Sequence, residues 1–341
     1  MNLQIENVDL AEASEQLLRS YYEHEVLIER VYWPDDPPRP FEWYAGEWRH
    51  RTDIWHTERW LLLDEGRVVG SAGADVEMLQ NLKNSHSWVF VNPEARGHGH
   101  GRRLATALFD WLEEEGRVRP SFRLPEGSEH EELTRRSGAK PALRMRDSRL
   151  IVEDVDRDLM ETWVERAAER AGDYEIIRLE TPIPDEHLEA IAKVNDVMND
   201  APFEDFVHED EIMTPEKWRA EEGALAARQD RLIFHIARHK PTGDFVGFTN
   251  LAYQALAPEQ GWVWNTGVHG DHRNKGLGRW VKAAMMLYIL DELPEVRRMD
   301  TFNAGSNEPM LNINVEMGFK PLQVIINWQG ELAAMRANLG V

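Results

Sequence analysis

Residues 91–101 read VNPEARGHGHG and residues 268–278 read VHGDHRNKGLG. In each, a valine ends an extended apolar run, Ser87–Val91 in the first case and Trp262–Val268 in the second. An arginine follows five positions on, with Gly-x-Gly behind it: Arg96, Gly99 and Gly101, then Arg273, Gly276 and Gly278. Apolar residues at helical spacing come next (Leu104, Ala107, Leu108, Trp111; Trp280, Val281, Ala284, Met285), predicting a helix of about fourteen residues. Strand, glycine turn and helix start together make an anion site. Glycines let backbone N–H groups approach a phosphate, and the helix start adds the positive end of its dipole.

Working outward, the positions 96 and 273, 99 and 276, and 101 and 278 are each 177 residues apart. Upstream, RWLLLDEGRVVGSAGADV (59–76) and RLIFHIARHKPTGDFVGFTNL (231–251) both read as antiparallel hairpins. Their glycines Gly70 and Gly247 keep the same separation. One constant offset over this length indicates a tandem duplication. The boundary falls between Met145 and Glu180, where a charged helix over about 156–171 separates two strands. This predicts an N-terminal domain over 1–150, an ordered connector over 151–174 and a C-terminal domain over 175–341. Between Trp33 and Trp48, Pro34, Pro37, Pro38 and Pro40 prevent a continuous helix, leaving a loop that lines a pocket or covers a surface.

The 341-residue length fits two domains. Apolar residues make up 42% of the chain, enough for two cores, which excludes a disordered chain. The net charge of −22 repels phosphate backbones and anionic headgroups, so neither nucleic acid nor a membrane surface is expected as a partner. It favours cationic small molecules. With no cysteine, disulfides, thiolate metal sites and cysteine nucleophiles are excluded. The N-terminus lacks a signal-peptide pattern and no run is long enough to span a membrane, so a cytoplasmic chain is expected, as a monomer or homodimer. His98 with His100, and His269 with His272, lack further ligands nearby in sequence, so no metal is expected.

No Gly-Lys-Ser/Thr follows either loop, which rules out a Walker A site, and the third glycine of the dinucleotide fingerprint is missing. The stretches Val91–Gly101 and Val268–Gly278 instead resemble motif A of GNAT-superfamily acyltransferases. Thr301 to Asn307, followed by Gly318-Phe319, resembles that family's motif B. The tandem arrangement is similar to mycothiol synthase and related two-domain actinobacterial members. The resemblance implies an α/β (α+β) fold of two tandem domains, each a mixed, mostly antiparallel sheet flanked by helices. It implies acetyl-coenzyme A, or coenzyme A, as cofactor. The pyrophosphate would lie on the main-chain N–H groups of Arg273, Asn274, Lys275, Gly276, Leu277 and Gly278, with Arg96, Gly97, His98, Gly99, His100 and Gly101 as the counterpart. The strand Thr266-Gly267-Val268, and Val91 in the first half, would pair with the pantetheine arm. The Val268 N–H would serve as oxyanion donor. Asn303 and Asn307 would contact the cofactor, or else serve as turn and cap residues.

One position departs from the family. Many members carry a Tyr four residues before the motif B glycine, and it protonates the leaving thiolate. Here that residue is Asn314, and Thr134 in the first half. No general base stands out, with Asp300, Glu259 and Asp200 as candidates. The acidic run 204–211 follows Asp200, and Asp200, Glu204 and Asp205 are candidate acceptor-binding residues. The expected function is acetyl-coenzyme A-dependent N-acetyltransfer to a small, cationic amine by direct attack on the thioester. The alternative is a non-catalytic acyl-coenzyme A binding or sensing protein. Motif B is recognisable only in the second half, so the C-terminal domain is expected to be the catalytic one.

Overall fold

A computed structural model describes residues 3–341, which form two compact units. Of the described residues, unit one comprises 3–144, 203–209 and 324–341, and unit two comprises 145–202 and 210–323. The segment 151–174 therefore lies wholly within unit two, and unit one takes in two stretches from the second repeat.

Along the chain run β1 (Leu3–Asn7), α1 (Glu15–Tyr32), α2 (Phe41–Arg49), β2 (Trp55–Asp64), β3 (Arg67–Glu77) and β4 (Asn84–Val91). Then follow α3 (His100–Glu114), β5 (Arg119–Pro125), α4 (Glu131–Arg136) and β6 (Lys140–Ile151). The second repeat supplies α5 (Arg157–Arg170), β7 (Tyr174–Glu180), α6 (Asp185–Asn195), α7 (Pro215–Ala227), β8 (Asp230–His239), β9 (Phe245–Gln254) and β10 (Gln260–Val268). It ends with α8 (Leu277–Glu292), β11 (Arg298–Ala304), α9 (Glu308–Met317), β12 (Lys320–Gln329) and α10 (Leu332–Leu339).

In unit one the strands lie in the order β1-β2-β3-β4-β5-β12, antiparallel except for the parallel pair β4–β5. Unit two has the order β6-β11-β10-β9-β8-β7, antiparallel except for β10–β11. Each sheet is completed by a strand from the other repeat: residues 325–329 of β12 pair with β5, and residues 145–151 of β6 pair with β11.

The two hairpins form as the sequence predicts. Glu65 and Gly66 both take positive φ, as a two-residue turn matched to strand twist requires. Gly70 and Gly247 both sit next to a register shift, at Leu62/Leu63 and Ala237/Arg238. A Cβ there would lie 3.0 Å from the Phe90 carbonyl oxygen and 2.9 Å from that of Gly267, so only glycine admits the third strand. The prolines from 34 to 40 do break the chain, yet Pro40 caps α2 and the aromatic run beyond it is helical.

Both sheet faces are covered. In unit one, Leu62, Ala72, Leu104, Leu108 and Trp328 bury one face under α3, while Leu18, Tyr21, Trp48 and Leu61 bury the other under α1 and α2. In unit two, Val263, Met285, Met286 and Ile289 pack with α5 residues Met160 and Trp163. Leu188, Trp218, Phe234 and Phe248 fill its opposite face. Each such aliphatic or aromatic side chain contributes about 1.5–3 kcal/mol by leaving water. The sheet that contains the parallel strand pair of each unit is thus packed on both faces.

Candidate functional site

Two parallel strands that part company create the site, and they do so twice. β4 pairs with β5 only from Asn84 to His86, then runs on to Val91 paired with β3 alone. β10 pairs with β11 only from Gln260 to Val263, then runs on to Val268, with a bulge between Val263 and Thr266. Strand alternation decides where the free groups point. Asn92 and His269 donate to Val69 and Val246 on the neighbouring antiparallel strand, so the Val91 and Val268 N–H groups face the opening.

At the mouth of each opening lies the glycine turn. A short 3₁₀ turn (Pro93–Ala95; Gly270–His272) leads into two left-handed residues, Gly97 and Gly99 in unit one and Asn274 and Gly276 in unit two. Gly99 and Gly276 then start α3 and α8 with no side-chain cap, leaving the first-turn N–H groups for an outside partner. A Cβ on Gly97 or Gly99 would meet nothing within 4 Å, so the loop is open. His100 Nδ1 in the same turn is buried without a hydrogen-bond partner among the described residues. These features fit a pyrophosphate on backbone N–H groups.

The arginines play a part that the sequence did not reveal. Arg96 Nε donates to the Val91 carbonyl at 2.9 Å, and Arg273 Nε donates to the Val268 carbonyl at 3.0 Å. Each guanidinium thus staples the loop to the strand end, and its outer nitrogen pairs with a carboxylate, Glu129 at 2.6 Å and Asp200 at 2.7 Å. Lys275 turns away to the Tyr174 hydroxyl (2.7 Å), leaving only its backbone for the loop. His98 Nδ1 lies 2.8 Å from the Arg96 carbonyl.

The motif B residues of unit two form one group. Asn314 is buried on α9 and its Nδ2 donates to Asn303 Oδ1 at 2.7 Å, while Asn314 Oδ1 has no partner among the described residues. That orphaned acceptor suits an amide N–H such as the pantetheine arm carries. Asn307 caps α9, its Oδ1 accepting from the Met310 N–H at 3.4 Å. Thr266 Oγ1 is 2.8 Å from Thr249 Oγ1, and Gly267 lies under Val197, where a Cβ would come within 2.5 Å of Cγ2. Thr134 bonds back to the His130 carbonyl.

The carboxylate candidates are dispersed. Asp300 is fully buried and takes both Arg149 Nε and a terminal nitrogen at 2.7 Å, the geometry of a structural ion pair. Asp200 sits on Arg273 in unit two. Glu204 and Asp205 belong to unit one, where the Glu204 carboxylate accepts the Arg144 N–H and the Asp205 N–H donates to Ala142. The three acceptor-side residues therefore do not share one unit.

Residues 18–122 match the model of the acetyltransferase (GNAT) family. No curated protein matches the chain. Among solved structures, the chain is similar to a tandem GNAT protein from the clavulanic acid biosynthesis pathway, with a TM-score of 0.76 and 20% identity. That likeness covers 97% of this chain and 99% of the other. A GCN5-related N-acetyltransferase from Sphaerobacter thermophilus is similar with a TM-score of 0.67 and 14% identity, covering 97% and 96%. A GCN5-related glucosamine N-acetyltransferase region of a fungal multi-domain GH3 β-N-acetylglucosaminidase gives 0.65 and 12%, covering 96% of this chain and 38% of that one. Among the described residues no helix is long and apolar enough to cross a membrane. Residues 18–122 are thus a domain of the acetyltransferase (GNAT) family, within a chain that has the fold of tandem GNAT proteins.

Proposed function

We propose that the chain transfers an acetyl group from acetyl-coenzyme A to a small, cationic amine. The observation that carries this reading is the forked parallel pair beside a glycine turn that starts a helix with no side-chain cap, present in both units. A pyrophosphate would rest on the N–H groups of 96–101 and 273–278, and a pantetheine arm would enter the fork as an added strand. The Val268 N–H, aimed into the fork of unit two, would stabilise the oxyanion as the amine attacks the thioester carbonyl. Asn303 and Asn314 would hold the arm's amides. Neither Asn314 nor Thr134 can protonate the leaving thiolate, so that proton would come from water. On this reading the C-terminal repeat, with its asparagine group, forms a reaction site.

The acidic balance of the chain, −22, supports a cationic acceptor. The test is release of free coenzyme A from acetyl-coenzyme A across a panel of amines, with acetylated product identified by mass spectrometry. Binding without turnover on any amine would favour the sensing role instead.

A further inference from the structure

A chain of buried polar groups reaches the glycine turn of unit one from behind. His24 on α1 is only 1% exposed, and Ser71 on β3 and Asn92 after β4 are as buried, at 0% and 1%. The imidazole joins them: its Nδ1 is 2.7 Å from Asn92 Oδ1, and its Nε2 is 2.9 Å from Ser71 Oγ. The Glu94 carboxylate accepts from the Asn92 side chain, and from Arg67 at 2.7 Å. Only the amide nitrogen of Asn92 can donate to Glu94, so its Oδ1 accepts from His24. The ring therefore carries its proton on Nδ1 and accepts from the Ser71 hydroxyl at Nε2. Burial lowers the His24 pKa to about 4, with the Asn92 bond and Glu94 opposing the shift, so the ring is neutral at pH 7.

Asn92 is the pivot of the turn. Its N–H donates to the Val69 carbonyl at 2.9 Å, and its carbonyl accepts the Ala95 N–H at 2.9 Å, closing the 3₁₀ turn at Pro93–Ala95. Val91, whose N–H faces the fork, immediately precedes it, and the Val91 carbonyl takes Arg96 Nε. One residue earlier, the Phe90 ring meets the imidazole edge-on at 5.5 Å. His24 thus grips the chain on both sides of Val91.

A cradle made of backbone N–H groups is aimed only by the path of the chain, so a side chain that fixes that path acts on the site without touching the ligand. Unit two keeps neither partner of this arrangement. At the position of Asn92 it has His269, which accepts the Asp271 N–H at 3.3 Å within its own turn, and at that of Ser71 it has Phe248.

We propose that His24 is a positioning residue for the cofactor site of unit one: it fixes Asn92 so that Val91 and the Arg96–Gly101 loop hold the shape that takes an acyl-coenzyme A. This inference rests on the acetyl-coenzyme A reading above and adds to it the residue that orders one of the two sites in advance. The gain is in affinity, because a loop already held in its bound shape loses less freedom on binding.

Titration calorimetry of the full chain with acetyl-coenzyme A tests this in two backgrounds. Arg273→Glu leaves the site of unit one, and Arg96→Glu leaves that of unit two. His24→Phe keeps an aromatic ring on α1 but strands the buried Asn92 oxygen; it weakens binding about tenfold in the first background and changes nothing in the second. His24→Asn puts an amide nitrogen where Nδ1 stands and restores most of that loss. Ser71→Ala removes the other bond of the ring, so it lowers the melting temperature and leaves the affinity unchanged. Where His24→Phe fails to fold, Asn92→Ala breaks the same bond with α1 intact and reads the same loss. An unchanged Kd in His24→Phe, an equal loss in both backgrounds, or a loss in Ser71→Ala as large as in His24→Phe overturns the positioning role and leaves the general reading intact. No binding by the unmodified chain refutes both.

Discussion

Replacing Asp300 by Asn separates a structural carboxylate from a catalytic one. The side chain is fully buried, and two Arg149 nitrogens lie at 2.7 Å from its two oxygens. Asparagine keeps the shape but removes the charge and one acceptor, stranding a guanidinium that is only 17% exposed. Breaking a buried pair from one side costs about 3–5 kcal/mol, and partial exposure of Arg149 puts this case near the lower end, at about 3 kcal/mol. For a unit of this size each kcal/mol moves Tm by about 2–4 °C, so Asp300→Asn should lower the melting temperature of unit two by about 6–12 °C. Calorimetry reads that shift. Turnover at a temperature well below melting should change by less than threefold, and adding Arg149→Met, which removes the stranded charge, should recover most of the loss. A Tm within about 2 °C of the parent, combined with a hundredfold drop in rate, would refute the structural assignment and make Asp300 the base.

Three further outcomes follow from the same geometry. Gly276 has a φ of +86°, so Gly276→Val forces a β-branched residue into the left-handed region and distorts the cradle; acetyl-coenzyme A affinity by calorimetry should fall more than tenfold, about 1.4 kcal/mol, and an unchanged Kd contradicts the assignment. Burial pushes the Glu25 carboxyl up to about 7 from its ordinary 4.5, so the folded state holds a proton that the unfolded state releases. Stability of unit one is then greatest below pH 4.5 as far as this group is concerned and is lost as pH rises toward 7; denaturant midpoints should show that slope weakened in Glu25→Gln, and an identical slope in both proteins counts against it. Acetylation of a cationic amine should slow with added salt, because attraction between exposed charges is screened, and salt-independent rates with a neutral preferred acceptor contradict the charge argument.

The duplication, the hairpins and the glycine turns were legible because each rests on local chemistry: a turn needs positive φ, and a phosphate cradle needs glycine next to a helix start. Their outcome in three dimensions was not always local. The acidic run 204–211 holds the acceptor candidates Glu204 and Asp205, yet residues 203–209 form part of unit one through main-chain bonds of Val207 and Asp205, which carry no sequence signature. The crossing of β6 and β12 is likewise invisible, since a buried strand reads the same whichever sheet it joins. Asn307 shows how a motif residue divides its work, since its side chain caps α9 whatever else it contacts. Glu25 was missed because it sits outside any motif, and its raised pKa comes only from burial in the folded unit.

The central claim is that each glycine turn binds the pyrophosphate of acetyl-coenzyme A through backbone N–H groups at a fork of parallel strands. Titration calorimetry of the full chain with acetyl-coenzyme A, repeated on Arg96→Glu and Arg273→Glu, tests it most directly. The account predicts two sites per chain in the parent and one in each variant, neither displaced by ATP. No binding to the parent, or binding that both variants leave untouched, would contradict it.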